Sequence, residues 1–192
     1  MPISATALLW LAALGANAVL LLTSQRAGTT VATRSALLTA AVVTVAAPAV
    51  VYGFAQLWGL GIDWTWSTIG FLALVAGAFA LLQAGVLRWL GLRGIALLAL
   101  LYLTAPAVAG LVPELLHPAY RVLLWSWTPI RFAADGLRTL FFSGGVAPAL
   151  TTGIWVFTGL AVAGLVALAL PRRHRASDAP AAPEVRTPVG VG

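Results

Sequence analysis

The side chains with potential chemistry gather between residues 113 and 145. Glu114 and His117 are three residues apart, but two possible ligands are too few for a metal site, so we interpret them as solvated groups at a membrane edge. Arg131, Asp135 and Arg138 are spaced four and three apart and would share one helical face. We expect them to compensate one another's charge, with a direct role in substrate passage as the alternative.

The sequence excludes several reaction classes. It contains no cysteine, so it has no thiol nucleophile, disulfide or cysteine-based metal site. It has no Gly-x-x-x-x-Gly-Lys-Ser/Thr loop, so the chain is not expected to cradle ATP phosphates. Its serines and threonines lack the histidine and aspartate partners of a hydrolase. We therefore predict a protein that is not an enzyme and has no catalytic, metal-binding or cofactor-binding residues.

Long apolar runs must position these groups. Apolar residues make up 61% of the chain and charged residues 8%, whereas charged residues make up about 25% of a typical soluble domain. Five runs lack Asp, Glu, Lys and Arg and approach or exceed the ~20 residues that a helix needs to cross a bilayer. They are residues 5–23, 36–57, 68–87, 95–112 and 150–170. We predict an all-α integral membrane protein whose membrane domain covers residues 1–171, followed by a disordered cytoplasmic tail at 172–192.

All of the positive charge comes from arginine, and its placement predicts the orientation. Arg26 and Arg34 lie between the first two runs, Arg88 and Arg93 between the third and fourth, and residues 172–175 follow the fifth. This pattern fits basic cytoplasmic loops better than a nucleic-acid surface. We expect a multi-pass plasma-membrane protein with its N-terminus outside and its C-terminus inside. The first run should be a permanent span, since no positive charge precedes it.

Polar and small residues within the runs predict helix packing. Asn17 and Gln83 should bond between helices rather than contact substrate. Rows of small residues at four-residue spacing in the third and fifth runs should allow close packing. They are Ala73 and Gly77, then Ala76, Ala80 and Ala84, and then Gly159, Ala163 and Ala167. Pro48 and Pro106 interrupt the second and fourth runs and are candidate hinges, although membrane helices also tolerate proline. The absence of charge inside the runs argues against ion-coupled transport.

The segment 113–145 predicts a short helical hairpin on the outer side. Pro113 can open a first turn, with Glu114 favourable near the helix N-terminus, until Pro118 interrupts it. Residues 119–127 can then form a short helix. Thr128 and Pro129 read as the N-cap and first residue of a second helix. This helix should end after Phe142, at the Ser-Gly-Gly sequence. Neither half is long enough to span alone, so we expect re-entrant or interfacial helices.

The same segment resembles a known family. Residues 112–120 and 127–138 are similar to the last extracytoplasmic segment of type-2 ABC exporter permeases, and closest to the YhgE/Pip branch. That branch has a Pro-x-x-hydrophobic-Ala-x-x-x-x-Arg pattern, which Pro129, Ala133 and Arg138 match. The resemblance covers about residues 8–170. Family members usually begin with another helix and, in this branch, a large extracytoplasmic domain. The chain therefore looks like the five-helix C-terminal portion, as a fragment, a split half or a short relative.

The resemblance implies a permease-like subunit of an ABC-type export system. Its expected partners are the lipid bilayer, a separate ATP-binding subunit, and a second transmembrane portion or another copy of this chain. The helices would line the path and the hairpin would form its outer lid. The candidate translocation or gating residues are Pro113, Glu114, Pro129, Arg131, Asp135 and Arg138.

Two alternatives remain. One is a non-transporting scaffold or assembly factor of an envelope or secretion complex. The other is a membrane enzyme that uses the surface formed by Glu114, His117, Arg131 and Asp135.

Overall fold

Six helices account for nearly all of the residues described in the computed structural model. The structure describes residues 2–59, 61, 64–109, 128–142 and 148–171, with the backbone alone for 104–109. The helices are α1 (Pro2–Arg26), α2 (Thr33–Leu57), α3 (Trp66–Leu90), α4 (Leu92–Ala109), α5 (Pro129–Phe142) and α6 (Pro148–Ala169). These ranges contain no strand, which confirms the all-α class.

Four of these helices, α1, α2, α3 and α6, are long and apolar enough to cross a membrane. They coincide with four of the predicted runs, and the protein is membrane-embedded. The apolar part of α4, Leu92–Leu103, is shorter. The corresponding run was predicted to end at residue 112, which lies outside the described residues, so a fifth span remains a prediction. The predicted tail also lies outside them.

Helix α3 is the centre of the bundle. It packs against all five other helices, most extensively against α6. Of its most apolar stretch, 56% is buried, against 22% to 39% for the other three candidate spans. Its central position makes α3 the most buried of the four candidate spans.

Aromatic rings fill the space between α1, α3 and α6. The ring of Trp10 meets that of Phe79 with centroids 4.8 Å apart, and Phe79 meets Phe157 at 5.4 Å. Phe71 continues the cluster, 6.2 Å from Phe157. All three contacts are edge-to-face, an arrangement that contributes about 0.5–1.5 kcal/mol per pair beyond simple burial. The bundle interior is therefore filled by side chains where these rings meet.

Small residues bring α3 and α6 into close contact, at some of the predicted positions and not at others. A Cβ on Gly164 would lie 2.5 Å from the carbonyl carbon of Leu81, and one on Gly85 would lie 2.9 Å from Cβ of Ala167. Gly159 is exposed and would meet nothing within 4 Å. Gly159 and the exposed Ala163 therefore face away from the bundle, whereas Ala167, the third residue of the predicted row, meets α3. The face of α6 toward α3 is set by Gly164 and Ala167.

Candidate functional site

Helix α5 is the described part of the predicted outer segment. It runs from Pro129 to Phe142, as the turn residues predicted. Its 14 residues extend about 21 Å at 1.5 Å per residue, too short to cross about 30 Å of hydrocarbon. Its apolar face, including Ile130, Ala133 and Leu137, is buried against α1, α3, α4 and α6. The first arm of the hairpin lies outside the described residues, so the hairpin remains a prediction.

A phenylalanine of α3 holds α5 in place. A Cβ on Gly136 of α5 would overlap with Cζ of Phe71, and one on Gly153 of α6 would lie 3.1 Å from the same atom. The ring therefore occupies the space that two absent side chains leave, and we call this contact the Phe71 wedge. Phe71 is near the start of α3 and Gly153 near the start of α6. The wedge thus places α5 at the N-terminal ends of both helices.

Two charged groups of α5, Asp135 and Arg138, lie away from its core-facing side, whereas Arg131 is half-buried. Arg138 Nη1 is 4.0 Å from Asp135 Oδ1, and the two side chains are 64% and 43% exposed. An exposed pair of this length contributes only about 0–1 kcal/mol. The guanidinium carbon of Arg131 is 4.5 Å from the ring centroid of Phe132, a cation–π contact. Asp135 and Arg138 thus pair as their spacing predicted, whereas the contact of Arg131 with its neighbour was not anticipated.

The other predicted translocation residues are distributed differently. Pro129 is the first residue of α5 and is buried. Pro113, Glu114 and His117 lie outside the described residues. Their contribution to a lid or a gate therefore remains a prediction.

The two candidate hinge prolines both lie within helices. Helix α2 continues through the buried Pro48, which cannot donate a hydrogen bond to the carbonyl of Thr44. The Thr44 hydroxyl donates to the Ala40 carbonyl at 2.7 Å, and a Cβ on Gly77 would lie 2.7 Å from that hydroxyl. The missing backbone bond therefore lies beside a close contact of α2 with α3. Pro106 lies within α4, and a hinge at either proline remains a prediction.

Two buried amides connect α1 and α3 in opposite directions. Asn17 Nδ2 on α1 donates to the Ala80 carbonyl of α3 at 3.0 Å, and to the Ala13 carbonyl at 3.1 Å. Gln83 Nε2 on α3 donates to the Trp10 carbonyl of α1 at 3.2 Å. Asn17 and Gln83, here named the amide pair, are 3% and 0% exposed. Both are interhelical hydrogen-bond partners, in agreement with the sequence prediction.

The amide pair is not fully satisfied. Gln83 Oε1 and Trp10 Nε1 are buried without a hydrogen-bond partner in the described part of the chain. A buried acceptor or donor in this condition costs about 1–3 kcal/mol. Sequence reasoning identified the amides but missed the unsatisfied indole. An indole inside an apolar run gives no sign of whether its N–H finds an acceptor.

Comparison with known proteins finds no family model, curated protein or solved structure that matches this chain at a significant level. The similarity to YhgE/Pip-type permeases therefore rests on the sequence pattern at Pro129, Ala133 and Arg138.

Proposed function

We propose that this chain is a permease-like transmembrane subunit of an ABC-type export system in the plasma membrane. The observation that supports the proposal is the placement of α5. This short amphipathic helix directly precedes the last apolar helix in the structure and packs across α1, α3 and α6. The resemblance assigns that position to the outer helices of exporter permeases. ATP would be bound by a separate subunit.

The filled interior suggests where substrate would pass. Trp10, Phe79 and Phe157 are fully buried and occupy the space between three helices. In this proposal the path therefore lies between the bundle and a second transmembrane portion, or another copy of this chain, and not within the single bundle. Arg131, Asp135 and Arg138 would stand at its outer end, where α5 acts as part of a lid.

Affinity purification from the native host tests the proposal. The tagged chain, extracted in a mild detergent, should bring with it an ATP-binding protein and a second membrane portion, and the complex should hydrolyse ATP. The chain purified alone should bind no ATP analogue. An unrelated multi-pass protein with the same tag is the control. A stable monomer that recovers neither partner would contradict the proposal.

A non-transporting scaffold is the second candidate. The edge-to-face aromatic cluster and the close Gly164–Leu81 contact favour it, because they suit a bundle that keeps one shape. Inactivating the ATP-binding partner separates the two functions. A phenotype that matches deletion of this chain supports the permease, whereas a scaffold would still assemble its complex.

A further inference from the structure

At one end of the bundle, the α1–α2 connection lies beside the α3–α4 connection. Arg88 Nη1, in the last turn of α3, donates to Thr33 Oγ1, at the first residue of α2, over 2.6 Å. The bond places the connection between α1 and α2 beside the connection between α3 and α4. The ends of four helices therefore meet at this edge.

This edge carries four arginines, Arg26, Arg34, Arg88 and Arg93, which we call the basic edge. Arg26, Arg34 and Arg93 are exposed and Arg88 is partly buried. Residues 24–35 and 86–94 contain no aspartate or glutamate. Asp135 lies near Phe71, about 25 Å along α3 from Arg88 at 1.5 Å per residue. The two connections therefore supply no counter-charge of their own.

The helices themselves do not explain two of these arginines. Arg26 and Arg88 lie in the last turns of α1 and α3, where the helix dipole favours a cation. Arg34 and Arg93 are the second residues of α2 and α4, and neither first turn contains an acidic residue. The dipole disfavours a cation there. Among the residues that the structure describes, no acidic side chain lies at this edge to balance their exposed charges.

We propose that the basic edge binds the headgroup phosphates of anionic phospholipids, with Arg34 and Arg93 contacting the phosphate directly. A guanidinium presents paired donors that match phosphate oxygens. Trp89, beside Arg88, is 48% exposed and its Nε1 donates to the Ala167 carbonyl at 3.0 Å. An amphipathic indole at a helix end is typical of the boundary between hydrocarbon and headgroups. The charges thus lie where lipid phosphates are found.

Native mass spectrometry of the delipidated full chain in a neutral detergent tests this inference. The probes are phosphatidylglycerol and phosphatidylcholine. The wild-type chain should prefer phosphatidylglycerol, and the double variant Arg34→Gln/Arg93→Gln should bind it about 25-fold more weakly, from about fivefold for each arginine. Phosphatidylcholine binding should not change. Both substituted residues are exposed, and circular dichroism should show unchanged helix content.

Arg138→Gln is the matched control, because it removes one exposed arginine from α5, which packs at the other end of α3. It should leave the preference for phosphatidylglycerol intact. Equal loss in this control would show a general effect of net charge and overturn the proposal. A double variant that binds phosphatidylglycerol with the wild-type affinity would also overturn the proposal. Displacement of the lipid by millimolar inorganic phosphate would also overturn it, by showing a site for free anions.

Discussion

At the scale of single residues, Asn17 makes the clearest interhelical bond. Asn17→Leu keeps a side chain of similar size but removes the donor to the Ala80 carbonyl. The free energy of unfolding in bicelles should fall by about 1 kcal/mol, the usual value of such bonds between membrane helices. Gln25→Leu replaces an exposed amide near the end of α1 and should change the free energy of unfolding little. Equal effects of the two substitutions would mean that the interhelical bond contributes nothing.

Gln83 should behave differently because half of its amide is unsatisfied. Gln83→Leu removes the bond to the Trp10 carbonyl and also removes a buried acceptor that has no partner. The two effects oppose each other at about 1 kcal/mol each. In the same bicelles, the free energy of unfolding should therefore fall less than in Asn17→Leu, or should rise. A loss above about 2 kcal/mol would show that Oε1 is satisfied in the membrane.

The sequence allowed the amide pair to be recognised but not its geometry. Polar residues inside apolar runs must bond to something, so Asn17 and Gln83 could be assigned to helix contacts in advance. Which carbonyl each one reaches depends on the register of α1 against α3. The packing of Trp10 on Phe79 contributes to that register, and no local pattern reports it.

At the scale of elements, the α3–α6 contact should tolerate no added methyl group at Gly164. In Gly164→Ala the new Cβ would meet the Leu81 carbonyl and the Leu82 nitrogen within 2.7 Å. These are backbone atoms, so the helices must separate, at a cost of about 1–3 kcal/mol. Thermal unfolding in micelles should report the loss. Gly159→Ala, on the open face of the same helix, should be neutral or slightly stabilising, and a similar loss there would contradict the assignment of the contact.

The Phe71 wedge predicts non-additive effects on α5. Gly136→Ala would force a methyl group against the Phe71 ring and should speed hydrogen exchange of the α5 backbone amides. Phe71→Ala should also loosen α5, but the double variant should exchange more slowly than the sum of the two effects predicts, because the added methyl then has room. Gly70→Ala, which meets nothing within 4 Å, is the control. Strict additivity would rule out the wedge.

Local signals were sufficient for the bounds of α5 but not for its position. Thr128 and Pro129 predicted its start, and the Ser-Gly-Gly sequence after Phe142 predicted its end. The wedge joins Phe71, Gly136 and Gly153, which are far apart in sequence and belong to three helices. In α6, similarly, spacing suggested Gly159, Ala163 and Ala167, whereas the contact with α3 is made by Gly164 and Ala167. Small residues are frequent in this chain, and their spacing does not tell an inward face from an outward one.

At the scale of the whole molecule, the absence of native cysteine makes the orientation directly testable. Single substitutions at Thr30, in the connection between α1 and α2, and at Ser67, at the start of α3, place thiols at exposed positions. If the N-terminus is outside, an impermeant maleimide added to intact cells should label Ser67→Cys and not Thr30→Cys. Permeabilised cells should label both. The reverse pattern would show the opposite orientation.

Composition alone established the broad class of the molecule. Four apolar helices of sufficient length confirm that it is membrane-embedded, because 61% apolar residues leave no other way to shield them from water. The total number of spans depends on how α4 continues beyond Ala109. The proposed function rests on a motif of three residues and on the placement of α5. Lipid-facing side chains carry no information about partners or substrate. Hydrophobic patterning therefore identifies a membrane protein but not its biochemical activity.

The Phe71 wedge also makes completion of the bundle depend on a helix that is synthesised well after α3. Gly153 leaves the ribosome about 80 residues after Phe71, roughly 4–16 s later at 5–20 residues per second. During that interval α3 is already synthesised, while the helix with which it makes its most extensive contact is not. A chain truncated before α6 would present Gly85 and Phe71 to lipid as an open surface. Such a nascent chain would be a natural substrate for membrane quality control until α6 covers this surface of α3.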